Sequence, residues 1–314
     1  MGQIIATVNM KGGVGKTTLT VNLATCLAKY HGKKVLVVDL DTQISATLSM
    51  MSATDFGKIR KETRTLRHLV YKAIKPNLNL NFTIQDIIYP YVANVKGLDL
   101  LPGDIDLYDE FLVSEMLHEQ ARMDKEINYS DVWNSFEKGL IRGILEPVIK
   151  DYDYIILDCA PGYNLVTRSG ILASDFYLLP ARPEPLSLVG IQLLERRIKK
   201  LRETHKFDGK DITLDLLGIV FILSGNLLLS RYYNQVMQRV NEDFNQTQIF
   251  KTRIPVDVNV AKAVDNFIPV VASAPNSNGA KAFMKLTQEL LQKVNAFPGR
   301  SDKPSQKLDF GRME

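Results

Sequence analysis

The chain has 314 residues, 45% of them hydrophobic and 24% charged, which suits one large α/β domain or two small ones with a sizeable core. Its 39 basic and 35 acidic residues leave a net charge of +4, too slight to mark a dedicated nucleic-acid binder, although a local basic patch is compatible with it. Two cysteines, Cys26 and Cys159, exclude a disulfide framework and lack metal-ligand spacing, as expected in a reducing cytosol. Met1-Gly2-Gln3 enters an apolar run directly, so no secretory signal is expected. Ala6 stands where a myristoylation signal needs Ser or Thr, and no apolar run approaches the length of a membrane span.

Ile4-Ile5-Ala6-Thr7-Val8 is β-branched and apolar enough for a buried strand, and Leu19, Leu23, Ala24, Leu27 and Ala28 recur at helical spacing. Asn9 to Thr18 therefore lies on a strand-to-helix turn whose helix N-terminus points at the loop. Gly12, Gly13 and Gly15 let successive N–H groups converge on phosphate oxygens, Lys16 adds a point charge, and Thr17 offers a hydroxyl to magnesium. The expected ligand is a nucleoside triphosphate, bound by Lys11, Gly12, Gly13, Val14, Gly15, Lys16, Thr17 and Thr18. A dinucleotide loop is excluded because Thr18 takes the third glycine's place and Gly-Lys-Thr has no role there.

His31-Gly32-Lys33-Lys34 stops the helix, and Val35-Leu36-Val37-Val38 is a second buried strand ending in Asp39 and Asp41. Acids at the carboxyl end of a parallel strand can reach the phosphate loop of its neighbour. Arg60, Lys61, Arg64, Arg67, Lys72 and Lys75, with Leu66, Leu69 and Val70 between them, predict a solvated helix face that Pro76 breaks. Gly97 to Gly103 reads as a short strand and turn and Leu107 to Leu117 as a half-buried helix, while packing explains Trp133, among polar residues, as well as a partner does. Tyr152 to Asp158 is a strand closing on an acid that would hold magnesium through water, and Cys159-Ala160-Pro161-Gly162 after it is a turn able to move when the γ-phosphate leaves. Asp175 to Pro180 and Leu214 to Leu223 are further strands, separated by a helix through Leu193, Leu194 and Ile198. Gly279 to Phe297 is a final amphipathic helix, and the polar tail from residue 297 to 314 is expected to be loose.

The run Lys11-Gly12-Gly13-Val14-Gly15-Lys16-Thr17-Thr18, with Met10 where the usual phosphate loop has Gly, resembles the deviant Walker A motif of the ParA/MinD family. Asp39-Leu40-Asp41-Thr42-Gln43 is similar to the family's A′ segment with Thr42 replacing proline, and Asp158-Cys159-Ala160-Pro161-Gly162 to its Walker B segment. Glu184-Pro185 with Gly190, and Ile254-Pro255 before Ala261 to Val271, read here as a short helix and a closing strand, match later family segments. The resemblance covers residue 1 to about 296 and implies a single doubly wound α/β P-loop NTPase domain with a mainly parallel sheet. The spacing between the A′ acids and the next motif is long, so part of 52–135 is expected to be a subfamily insertion.

The resemblance further implies an ATPase using ATP and magnesium, with Lys11, Lys16 and Asp41 catalytic and Thr17, Asp39 and Asp158 serving the metal. Lys11 would reach the nucleotide of the other subunit in an ATP-bound homodimer, and Asp41 would orient the attacking water. It implies a cytoplasmic, nucleoid-associated protein of the ParA/Soj branch that binds DNA without sequence preference. A ParB-like or adaptor protein would stimulate it to position or partition a plasmid, a chromosome or a protein organelle such as the carboxysome. Val256 and Asn259 stand where partition members carry DNA-binding arginines, and Asp257 is uninviting to phosphate, which leans the reading toward cargo positioning. Arg231, Lys251, Arg253, Lys262, Lys281 and Lys285 offer a different basic patch. A MinD-like membrane cycle is disfavoured by a tail without a sustained apolar face, an iron–sulfur carrier by the poor pairing of Cys26 with Cys159, and a dead nucleotide site by the filled catalytic positions.

Overall fold

A computed structural model describes residues 2–75, 82–123, 128–206, 212–222, 238–240, 242 and 244–297. Six parallel strands, β1 (Gln3–Thr7), β2 (Val35–Asp39), β3 (Leu98–Leu101), β4 (Tyr154–Asp158), β5 (Phe176–Ala181) and β6 (Asp215–Phe221), form one sheet in the order β3-β2-β4-β1-β5-β6. The chain enters at the middle of the sheet, winds outward through β2 and β3, returns to place β4 beside β1, and leaves through β5 and β6 on the other side. Ligands of such sheets collect at the carboxyl ends of the strands flanking the reversal, here β1, β4 and β2.

These strands read as continuous apolar runs because both of their faces are covered. Ile5, Val35, Val37 and Ile156 look toward α1 (Lys16–His31), α2 (Ser45–Leu48), α3 (Ala53–Lys61) and the C-terminal helices α10 (Val258–Asp265), α11 (Val270–Ser273) and α12 (Asn278–Ala296). Ile4, Ala6, Leu36, Val38, Ile155 and Leu157 look the other way, toward α4 (Leu66–Ile74), α5 (Ile84–Ile87), α6 (Glu110–Met123), α7 (Tyr129–Leu145), α8 (Leu165–Ala173) and α9 (Pro185–Thr204). No helix among the described residues is long and apolar enough to cross a membrane.

Both sheet edges carry a short companion. Tyr89 exchanges backbone hydrogen bonds with Leu100 of β3, and along β6 the amides of Phe250 and Ile254 donate to the carbonyls of Ile219 and Phe221.

Three expectations change. Ala261 to Val271 holds no closing strand: Val270 and Val271 begin α11, which follows Pro269, after Phe267 has turned the chain at φ 56°. The helix expected from Leu107 starts at Glu110, because the Asp109 carboxylate accepts from the amides of Phe111 and Leu112. The basic stretch is no continuous solvated face, since Thr63 at φ 59° separates α3 from α4 and Arg60 turns onto Asp104 and Asp106, at 3.3 and 2.7 Å. Trp133 packs at the edge of the core beside Tyr129. Pro76, Leu223, Arg231 and the 298–314 tail lie outside the described residues.

Candidate nucleotide site

The loop after β1 is held at its base by Asn9, whose side-chain amide donates to the Pro180 carbonyl at the end of β5 (2.8 Å) and whose oxygen accepts from the Lys11 amide (2.9 Å). Gly13 and Gly15 adopt φ of 70° and 89°, the left-handed region that side chains disfavour. A Cβ on Gly15 would also lie 2.5 Å from the Ile222 side chain, whereas beside Gly12 and Gly13 the space is open, as a phosphate cradle requires. No side chain caps α1, so its first N–H groups are left for a ligand in the loop.

Lys16 is only 6% exposed, and its ammonium donates to the Lys11 carbonyl at 3.3 Å. Burial lowers its pKa, opposed by the charges of Asp158 and Asp41. Thr17 donates to one Asp158 oxygen at 2.7 Å and Thr20 to the other at 3.2 Å. Asp158 and Asp39 end neighbouring strands in register, and both are fully buried. Burial pushes Asp158 up to about 8, with the charge of Asp39 adding to it and Thr17, Lys16 and Thr20 working against it. Burial likewise pushes Asp39 up to about 6, against hydrogen bonds from Thr47 and Asp41.

Two adjacent buried carboxylates, Asp39 and Asp158, fit a divalent cation, which would replace the repulsion between them with attraction. Magnesium is bound through few carboxylates, with water and substrate phosphate completing its shell. Thr17, Asp158 and Asp39 are the residues that could hold that ion. Asp39 also accepts hydrogen bonds at both oxygens, one from the Thr47 amide and hydroxyl, both at 2.8 Å, and the other from the Asp41 amide. Thr47 in turn accepts from the Gly103 amide, so Asp39 knots the loop that carries Asp41 to the end of β3. Asp41 is nearly buried and accepts from the Gln43 amide.

Lys11, unlike Lys16, stands at the exposed rim, where its ammonium meets the Glu184 carboxylate at 3.1 Å just before α9. Residue type alone did not single out Asn9, Thr20, Thr47 or Glu184. Thr20 was legible in principle, being one helical turn beyond Thr17 on the same face of α1.

The Ile254-Pro255 segment runs beside Ile222, which itself touches the loop at Gly15. Val256 and Val258 are each 63% exposed there, while the Asp257 carboxylate caps α10 through the Asn259 amide and also accepts from the Gly279 amide of α12. Lys262 on α10 and Lys281 and Lys285 on α12 are exposed, whereas the Lys251 amide donates to Glu289. Both cysteines are buried with their thiols pushed up by burial, Cys26 to about 12, so neither can reach a cluster shared with another subunit.

A family model described as an AAA domain matches residues 2–210. The sporulation initiation inhibitor protein Soj of Bacillus subtilis is 30% identical over 291 residues, covering 92% of this chain and 98% of Soj. The cell division ATPase MinD of Pyrococcus furiosus, 25% identical, superposes with a TM-score of 0.63 over 93% of this chain and 99% of MinD. An ATP complex of a Cyanothece McdA variant, 20% identical, superposes with a TM-score of 0.67 over 97% of this chain and 99% of McdA.

Proposed function

The chain belongs to the ParA/MinD family of P-loop ATPases, and from that premise we propose that it hydrolyses ATP with magnesium, dimerises while ATP is bound, and uses the cycle to position or partition a cargo on nucleoid DNA. The observation that carries this reading is the division of labour between two lysines of one loop: Lys16 buried in the cradle, Lys11 exposed on its rim. A second lysine there has no use in a phosphate loop that works alone, and a clear use where two loops face each other.

Lys16 holds the phosphates and stabilises charge spreading onto the transferred group, and Lys11, released from Glu184, does so for the nucleotide of the second subunit. Thr17, and Asp158 through water, would hold magnesium, which would supply neutralisation of the phosphate charge. Asp41 orients the attacking water, and Asp39 acts behind it by fixing the loop on which Asp41 sits. Hydrolysis removes contacts specific to the dimer and shifts the population back to monomers, with a partner protein setting the rate.

The test is binding to unrelated duplex DNA with ATP, ADP or no nucleotide across a salt series, with dimerisation followed by sedimentation, for wild type and Lys11→Ala. ATP-dependent dimers that bind DNA in a salt-sensitive way, both lost in Lys11→Ala, are the expected result. Dimers without DNA binding would remove the nucleoid from the reading, and ATP turnover by a monomer would remove the dimer.

A further inference from the structure

Behind the Walker B strand lies a buried charged cluster that the phosphate chemistry does not use. Glu137 on α7 and His205, which ends α9, are 3% and 5% exposed, and the His205 Nε2 lies 2.8 Å from one Glu137 oxygen. The other Glu137 oxygen accepts a short hydrogen bond from Nε of Arg168 on α8. Nη1 of the same guanidinium donates to the carbonyl of Tyr163 at 3.1 Å.

Tyr163 immediately follows Pro161-Gly162, in the turn after Asp158 that the proposed function sets beside the γ-phosphate. Its ring is flanked by two guanidinium groups, Arg168 at 5.6 Å and Arg197 at 5.3 Å, and its hydroxyl donates to the Arg197 carbonyl at 3.0 Å. Arg168 therefore touches both ends of the connection: the loop that follows Asp158 and the buried carboxylate of α7. Burial disfavours the Glu137 carboxylate, but the hydrogen bonds from His205 and Arg168, with the Arg168 charge, outweigh it and hold its pKa below the ordinary value.

A buried ion pair is a poor source of net stability, because desolvation consumes most of the attraction; apolar side chains of similar volume often do as well. What such a cluster supplies is one geometry, since an alternative placement of the loop would leave a charge unpaired in the core. A loop that must adopt different positions with and without γ-phosphate profits from that kind of restraint.

We infer that Glu137, Arg168 and His205 are positioning residues for ATP hydrolysis: they hold the Pro161-Gly162-Tyr163 loop in register with α7 and the end of α9, so that the state of the phosphate site is transmitted to those two helices. The inference rests on the ATPase reading above. It assigns no contact with nucleotide to any of the three side chains.

The single tryptophan of the chain, Trp133, lies on α7 one helical turn before Glu137 and reports on that helix. The experiment measures ATP affinity, turnover and Trp133 emission with and without Mg-ATP for wild type, Glu137→Gln and Tyr163→Leu. The second variant removes the ring and hydroxyl contacts but leaves the buried charges paired, so it remains informative if Glu137→Gln folds poorly. The expected result is turnover reduced about tenfold in each folded variant with ATP affinity within about twofold of wild type. The ATP-dependent change in Trp133 emission should be lost along with it. Wild-type turnover and emission change in both variants would overturn the inference, as would a loss confined to affinity. A wild-type protein that shows the Trp133 change on binding ATP but no turnover would sink the ATPase reading and leave the coupling standing.

Discussion

The carboxyl ends of β1, β2 and β4 and the corner made by α10 and α12 lie on the same side of the molecule and are built on opposite terms. At the first, charged groups are buried: Lys16, Asp39 and Asp158 are held out of water, and burial shifts the pKa of each toward its neutral form. At the second, apolar groups are exposed: Val256 and Val258 face solvent while the neighbouring acid, Asp257, is fully used in capping α10 and tying it to α12. Buried charge of this kind marks a place where a small charged ligand completes the structure. Exposed valines beside exposed lysines mark a surface whose use depends on a larger partner.

The contrast is broken most completely at Lys16. Lys16→Ala removes the cradle's buried cation, and phosphate-release assays should record turnover lower by about a hundredfold or more, with weakened ATP binding. Asp41→Asn sharpens the picture. It keeps the shape of the site and its hydrogen bond to Gln43 while removing the charge proposed to orient water, so turnover should fall about a hundredfold as equilibrium ATP binding persists.

The buried carboxylates give the site a pH signature. Asp158 and Asp39 are raised from 3.8 to about 8 and about 6, so the folded protein holds their protons more tightly than the unfolded chain does. Their contribution to stability is complete below the unfolded value and is lost as pH rises through 6 toward 8. The melting temperature without nucleotide should therefore fall by about 2 °C or more between pH 6 and pH 8, and Mg-ATP should flatten that slope. An unchanged slope with Mg-ATP would argue against metal binding at Asp158. The smallest expected effect belongs to the other region: Val256→Arg adds one phosphate-contacting charge, raising affinity for unrelated DNA a few-fold and steepening its salt dependence by about one unit. No change would place any DNA surface elsewhere.

Sequence and structure agree where chemistry and local geometry are written in the same few residues. The glycines of the phosphate loop, the acids at the ends of β2 and β4, and the apolar runs between them could be read in place because strand-end position alone brings them together. The connections made at long range could not. Glu137 is one acid on an amphipathic helix, and nothing near it in the chain announces that Arg168 and His205 close over it. Arg60 reads as a solvated cation until Asp104 and Asp106 arrive from the end of β3. Val270 and Val271 have the branching of a strand but lie in α11, where they join α1 and α12 in a core that the window around them does not reveal.

The two short companions along β3 and β6 bear on how copies of this protein can meet. An open parallel sheet presents rows of unpaired amides and carbonyls at its margins, and such margins invite another strand to add on without limit. Tyr89 on one side and the Phe250 to Ile254 stretch on the other occupy part of those rows, so lateral growth of the sheet is obstructed from both directions. Association by strand addition is thereby disfavoured at both margins, which leaves the faces of the molecule for any contact between copies.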